Sequence, residues 1–269
     1  MDAEGLTVAT WNTRKSELGP VRAFVDVARP DVLVLTESRR LSNDDLDAIG
    51  ATGATWRGDH TDAGVGIYTF NTYGLDSADG VWSTPRGSET DKERTERLRR
   101  WTLGAQVVGP HPFFLLAVWA HNEWAFRPVN AAISDHAKPL DRGRSIVAGD
   151  FNNGCRWDGS TGNEKDHRHT VGLLDRCGLV SAYHRSRNIR EDVSCQEADK
   201  TFWSGFDSAK GDHIDFIYAP VRWIDCDPES VSVGSWADYA STEERFSDHA
   251  PVTARLTPPM LGNEDSDAQ

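Results

Sequence analysis

Apolar positions in this chain fall into short runs, some with strand and some with helix periodicity, set apart by polar turns. Leu6 to Trp11 reads as a strand, with Asn12 at its end. Leu18-Gly19-Pro20 opens a helix to about Ala28, with Val21, Phe24, Val25 and Ala28 on one face, and Pro30-Asp31 ends it. Val32 to Leu35 is a second, fully buried strand, with Glu37 two residues past its last leucine. These β-α-β elements carry Asn12 and Glu37 to strand ends, the edge where open α/β sheets bind ligands.

The pattern continues with a short helix over Asp44 to Ile49 and a third strand over Gly64 to Phe70. Trp101 to Val108 and Phe113 to Ala120 form a hairpin across Gly109-Pro110-His111-Pro112, ending at His121-Asn122. A helix over Arg127 to Ala137 leads to a buried strand, Ile146-Val147-Ala148. Gly149 then lets the backbone turn or admits a close neighbour. Asp150 and Asn152 share a side if the chain is extended there, and equally suit an ordinary Asx turn. Thr170 to Cys177 is a helix closed by Gly178. Thr201-Phe202-Trp203 is strand-like. His213 to Tyr218 alternates as a strand with Asp215 facing away from Ile214, Ser230 to Val233 is extended, and Val252 to Leu256 is the final strand. No repeat or linker divides the chain. The expectation is one domain over residues 1–257 and a disordered acidic tail over 258–269.

Composition narrows the function. The chain has 269 residues, 38% hydrophobic and 26% charged, as in a globular protein. No run has transmembrane length and the start lacks a basic-then-apolar leader, so no membrane association and a cytoplasmic location are expected. The four cysteines form no C-x-x-C pair, which argues for free thiols rather than a zinc ribbon or redox motif. A net charge of −13 excludes a broad electrostatic clamp on nucleic acid. It leaves room for a divalent cation, which reverses the local sign. The charged run Glu89 to Arg100 is a solvated face or, through Arg94, Arg97, Arg99 and Arg100, a local basic strip.

The polar residues at apolar strand ends are Asn12, Glu37, His121, Asp150, Asn152, Asp215, Asp248 and His249. They supply oxygen ligands suited to a hard cation such as magnesium, and two histidines able to move protons near neutral pH. There is no zinc-type His/Cys spacing, no phosphate-binding P-loop and no G-x-S-x-G elbow.

The order Trp11-Asn12, Leu35-Thr36-Glu37, His121, Gly149-Asp150-Phe151-Asn152, Ile214-Asp215-Phe216, Ser247-Asp248-His249-Ala250-Pro251 resembles the endonuclease/exonuclease/phosphatase superfamily. The match runs from about Leu6 to Leu256, and six short motifs in the right order are specific. The resemblance implies an α/β fold, a four-layer α/β/β/α sandwich of two mixed sheets flanked by helices, with the site at the rim between the sheets. It implies that Glu37 binds Mg2+ or Mn2+, with Asn12 and Asp248 in or next to the shell. Asp150 would orient or deprotonate the attacking water, and Asn152 would hold the scissile phosphate. His249 would be the general base or charge stabiliser, oriented by Asp215, and His121 would donate to a phosphate oxygen. Arg14, Asn122 and Trp203 are the expected substrate contacts.

Two departures bear on the substrate. Abasic-site endonucleases carry an acidic residue two places after the asparagine, where this chain has Arg14. They carry a Trp-Arg pair where this chain has Asp212-His213, so one wall of an abasic pocket is missing. The leading expectation is a divalent-metal-dependent phosphodiesterase, a nuclease acting on DNA or RNA by in-line attack of an activated water. The alternatives are a phosphomonoesterase or small-molecule phosphodiesterase of the same superfamily, and a catalytically silent scaffold of the same fold. Oligomeric state is not legible.

Overall fold

The structure is a computed structural model that describes residues 5–60, 63–78, 101–120, 126–158, 167–190, 196–239 and 246–259. His121, Asn122, the Arg94 to Arg100 cluster and most of the proposed tail lie outside the described residues. In chain order the main elements are β1 (Leu6–Asn12), α1 (Leu18–Ala28), β2 (Val32–Thr36), α2 (Asn43–Ile49), β3 (Gly53–His60), β4 (Ala63–Thr69) and β5 (Gly74–Ala78). Then come β6 (Thr102–Val108), β7 (Phe113–Trp119), α3 (Phe126–Asp135), β8 (Ser145–Asp150), α4 (His167–Arg176) and β9 (Leu179–Ser181). The last are β10 (Phe202–Trp203), β11 (Gly211–Asp212), β12 (Asp215–Pro220), β13 (Val231–Val233) and β14 (Val252–Leu256).

The strands form two six-stranded mixed sheets, β13-β14-β1-β2-β4-β3 and β5-β6-β7-β8-β12-β9, with β10-β11 as a separate ribbon. Three apolar layers explain the stacking. Val8, Val34 and Ile67 of the first sheet meet Leu115, Ala148 and Ile217 of the second. The outer face of the first sheet (Ala9, Trp11, Leu33, Leu35) packs on Val21, Phe24 and Val25 of α1, whose predicted face is the one buried. The outer face of the second (Leu116, Val118, Val147) packs on Val129, Ala132 and Ile133 of α3 and Leu174 of α4. Strands of both sheets are therefore apolar on both faces, and the result is the expected α/β/β/α sandwich.

Register sets the site. A side chain such as Leu33 or Val34 contributes about 1.5–3 kcal/mol when fully buried, so slippage of β2 is costly. β1 and β2 run parallel with Asn12 beside Thr36, which places Glu37 just past the shared edge. β7 and β8 run parallel with Trp119 beside Asp150. β12 is antiparallel to β8, and Asp215 pairs with Asp150.

Three expectations need correction. His213 and Ile214 precede β12 rather than belong to it, because the strand begins at Asp215 and is buried on both faces. Strands β3, β5 and β9 carry no strand signal in the sequence. Each is a sheet edge, and β3 and β5 are glycine-bearing and largely polar. The thiols are not all free: Cys177 and Cys226 are, but Cys155 is disulfide-bonded. Among the described residues, no helix is long and apolar enough to cross a membrane.

Candidate active site

Strand β8 ends at Asp150 because Gly149 brings the backbone against β7. Gly149 has φ +144°, and a Cβ there would stand 1.8 Å from the Val118 carbonyl oxygen. The chain beyond is not extended, since Asn152 has φ 44°. An Asx turn forms: the Asn152 amide donates to Asp150 Oδ1 at 2.8 Å, and its side-chain Nδ2 donates to Asp150 Oδ2 (2.9 Å) and the Ala120 carbonyl (2.7 Å). The Asx turn and the site are the same structure here. Asp150 and Asn152 converge through the turn, not through strand alternation.

The first sheet contributes from the facing edge. Asn12 Nδ2 donates to Asp150 Oδ2 at 2.8 Å, and Asn12 Oδ1 accepts from the Arg14 amide at 3.0 Å. Lys15 N donates to the Glu37 carbonyl at 2.7 Å. Arg14, Lys15, Glu37, Asn152 and Phe206 all have left-handed backbones, with φ between 44° and 62°. Such conformations in non-glycine residues cost of order 1–3 kcal/mol each and gather where geometry is imposed for function.

Asp215 Oδ2 pairs with His249 Nδ1 at 2.8 Å, and both residues are buried. Three residues absent from the sequence-based set position this pair. Thr201 Oγ1 accepts from the amides of Ile214 and Asp215 at 3.0 and 3.1 Å. Ser247 Oγ donates to the Asn12 carbonyl at 2.6 Å and accepts from the His249 amide at 3.0 Å. Trp11 Nε1 donates to the His249 carbonyl at 3.0 Å. Ser247 stands beside Asp248-His249 in the sequence and Thr201 opens an apolar strand, but neither type of residue announces such a role.

These groups surround a cavity of about 650 Å³ lined by Asn12, Arg14, Lys15, Glu37, Asn152, Asp248 and His249 on its polar side. Ala63, Trp101, Trp119, Ala120 and Phe202 form its apolar side. Asp150 and Asp215 are fully buried beneath it. Trp203, expected as a stacking surface, is turned inward: it is 5% exposed and packs on Ala250. The ring that β10 presents to the cavity is instead Phe202, 4.8 Å from the ring of His249.

Electrostatics follow from burial. Burial and the charge of Asp215 push the Asp150 carboxyl up to about 7. Burial alone would lower His249, but the carboxylates of Asp215 and Asp150 outweigh it and raise the imidazole to about 9. Burial raises Glu37 as well, against the opposing pull of His249 and of its hydrogen bond with Asn12. Half-buried carboxyl groups at Glu37 and Asp248, with the Asn12 amide, form an oxygen-rich donor set that fits a hard divalent cation. The buried Asp150–Asp215–His249 cluster, with one potential ligand atom from each residue lying within 4.8 Å of the others, could also hold a metal ion.

Solved structures share this architecture. An AP endonuclease from Archaeoglobus fulgidus superposes with a TM-score of 0.65 at 16% identity, over 94% of this chain and 100% of that one. A variant of the 3′ phosphatase NExo from Neisseria, bound to a product DNA hairpin, gives 0.59 at 21% identity, over 93% and 99%. D. rerio TDP2 complexed with a single-strand DNA product gives 0.61 at 12%, over 94% and 99%. No curated protein matches the chain. Residues 9–249 match the family described as Endonuclease/Exonuclease/phosphatase, so the chain belongs to that family of divalent-metal-dependent phosphoesterases.

Proposed function

We propose that this protein is a divalent-metal-dependent phosphodiester hydrolase acting on DNA or RNA by in-line attack of an activated water. The observation that carries the reading is the buried Asp150–Asp215–His249 group directly beneath a cavity that also presents Glu37 and Asp248. A magnesium or manganese ion held by Glu37, with Asn12 and Asp248 at or beside its shell, would neutralise phosphate charge and stabilise the developing oxyanion. His249, which lines the cavity, faces the phosphate with its imidazole oriented by Asp215. Asn152, fixed by Asp150 and Ala120, holds a phosphate oxygen. The water oxygen would bond to phosphorus as its proton passes to the Asp150 carboxylate and the bond to the leaving oxygen breaks, the leaving oxygen taking a proton from solvent, while the His249 imidazolium stabilises the developing charge. Arg14 and Lys15 at the cavity contact flanking phosphate. His121 and Asn122 keep the roles implied by the family resemblance.

Phe202 and Trp119 offer apolar ring surface beside the reacting groups, suited to unpaired bases at roughly 1–3 kcal/mol per stacked base. Single-stranded or frayed substrates are therefore expected ahead of intact duplex. The test is cleavage of single-stranded DNA, duplex DNA, RNA and a chromogenic phosphate ester, each with magnesium, manganese or chelator. Metal-dependent cleavage of nucleic acid, with a salt slope of about two to four phosphate contacts, is expected. The net charge of −13 favours a second reading, a phosphomonoesterase or small-molecule phosphodiesterase. Hydrolysis of the small ester without nucleic-acid cleavage would establish it.

A further inference from the structure

Trp56 lays its indole across two glycines at the edge of the candidate site. In the β3–β4 ladder Trp56 pairs with Gly66 and Gly58 with Gly64, and Leu35 of β2 pairs with Gly66 from the other side. These residues therefore share the outer face of the first sheet. A Cβ at Gly58 would stand 2.5 Å from the Trp56 ring, and one at Gly64 2.4 Å from it, so the indole needs a glycine at both places. Trp56 Nε1 donates to the Ser38 carbonyl at 3.2 Å, and the Ser38 amide donates to the Gly64 carbonyl at 3.1 Å. The ring is thereby fixed, although it is only half-buried.

Trp56 forms one wall of a recess of about 320 Å³. The recess is distinct from the catalytic cavity and adjoins it through two chain links. Ser38 follows Glu37 and Gly64 follows Ala63, and Glu37 and Ala63 both line the cavity. Leu41, Leu46 and Tyr68 give the recess further apolar surface, while Arg40 and Asn43 give it polar groups. None of its lining residues is acidic. Asp45 of α2 is taken up by Arg39, at 2.8 and 3.2 Å, which holds its carboxyl down at about 2. Arg40 is exposed and forms no ion pair among the described residues. A chain of net charge −13 thus keeps an unopposed cation beside a fixed aromatic ring at the edge of the site.

We infer that this recess is a second base-binding subsite, taking one unpaired nucleobase of the substrate strand stacked on Trp56, with Arg40 on the adjacent phosphate. The inference rests on the proposed nucleic-acid reading of the site. A strand that leaves the cavity past Glu37 meets Ser38 and the Trp56 ring next. An aromatic surface with a cation beside it is the combination that holds single strands without reading their sequence. A base inside a duplex is paired and stacked, so it reaches such a recess only after that energy has been supplied. Asn43 offers an amide donor and an acceptor to the base edge.

The test reads binding apart from cleavage. Fluorescein-labelled hexathymidylate, and the same backbone with abasic units in place of every base, are bound to the full chain with calcium replacing magnesium, and anisotropy gives Kd for each. Wild type is expected to hold the strand with bases more tightly. Trp56→Leu should shrink that gain by about 5- to 100-fold, and Trp56→Phe should keep most of it. Circular dichroism verifies folding. Arg40→Gln, at an exposed position, gives an independent reading and should lower the salt slope for hexathymidylate by about one. A gain untouched in folded Trp56→Leu overturns the inference, as do equal weakening of both strands and an unchanged salt slope in Arg40→Gln. Cleavage of hexathymidylate in magnesium tests the hydrolase reading separately. A Trp56-dependent gain without cleavage removes that reading and supports the subsite; cleavage without such a gain does the reverse.

Discussion

Asn12 Nδ2 donates to Asp150 Oδ2 at 2.8 Å, so an amide at the end of β1 in one sheet holds a carboxylate at the end of β8 in the other. This is a direct polar contact between the two sheets at the candidate site. Asn12→Ala leaves a buried carboxylate short of a donor, at a cost of about 1–3 kcal/mol. Asn12→Asp adds a like charge and raises Asp150 further. Both variants are expected to lose activity, by roughly 10²–10³, with the aspartate the worse. Denaturant midpoints and kcat/KM for the two variants test this; an aspartate variant as active as wild type would remove Asn12 from the site's electrostatics.

Asp215 and His249 act as one unit if the carboxylate's purpose is to orient and charge the imidazole. Asp215→Asn and His249→Ala are each expected to cost roughly 10²–10⁴ in kcat. The double variant should then be about as slow as the slower single variant, because the second change removes nothing further. A loss equal to the product of the two single losses separates the residues.

Stability of the metal-free protein should depend on pH with a definite sign. Asp150 and His249 both bind protons more tightly in the folded state, with values near 7 and 9 against ordinary values of 3.8 and 6.5. Each therefore contributes stability that is complete below its unfolded value and lost as pH rises through its folded one. Tm of chelator-treated protein is expected to fall from pH 3.8 to about 7 as the Asp150 contribution is lost, and from pH 6.5 on to about 9 as that of His249 is lost. Asp215→Asn should flatten the upper part of that fall. A Tm that rises over the same interval contradicts the assignment.

Glu37→Gln keeps shape and removes the charge that a cation would neutralise. Metal-dependent activity should drop strongly at limiting magnesium, while the circular dichroism spectrum stays unchanged. Unaltered magnesium dependence would take Glu37 out of the metal shell.

Gly149→Ala tests the close approach of β8 to β7. The added Cβ meets the Val118 carbonyl oxygen at 1.8 Å in a backbone conformation unsuited to an L side chain. Destabilisation of about 3 kcal/mol or more is expected in chemical denaturation. A variant within about 1 kcal/mol of wild type would mean that the two strands can part without cost.

Much of this arrangement is legible in the chain. The inner strands announce themselves because both faces are buried, so β2 and β8 read as unbroken apolar runs with polar residues just beyond. Glu37, Asp150, Asp248 and His249 could be picked out for that reason. The edge strands β3, β5 and β9 are hidden because little about their sequence separates them from loop. Phe202 and Trp203 are adjacent, and which ring faces the cavity depends on the ribbon's register against His249, a long-range pairing that no local pattern encodes. The roles of Ser247 and Thr201 are hidden likewise, because each bonds to residues far away in sequence.

Ser247 and Trp11 join the end of β1 to the segment that leads into β14, and β14 lies between β13 and β1 in the sheet. During synthesis the first strand thus waits for a partner made more than two hundred residues later. Asn12 and Glu37 emerge early, but His249 and the bonds that hold it exist only once that late segment has left the ribosome. An elongating chain therefore carries no assembled site until the segment around Ser247 and His249 has emerged, because the order of strands in the sheet makes the site the product of its first and last parts.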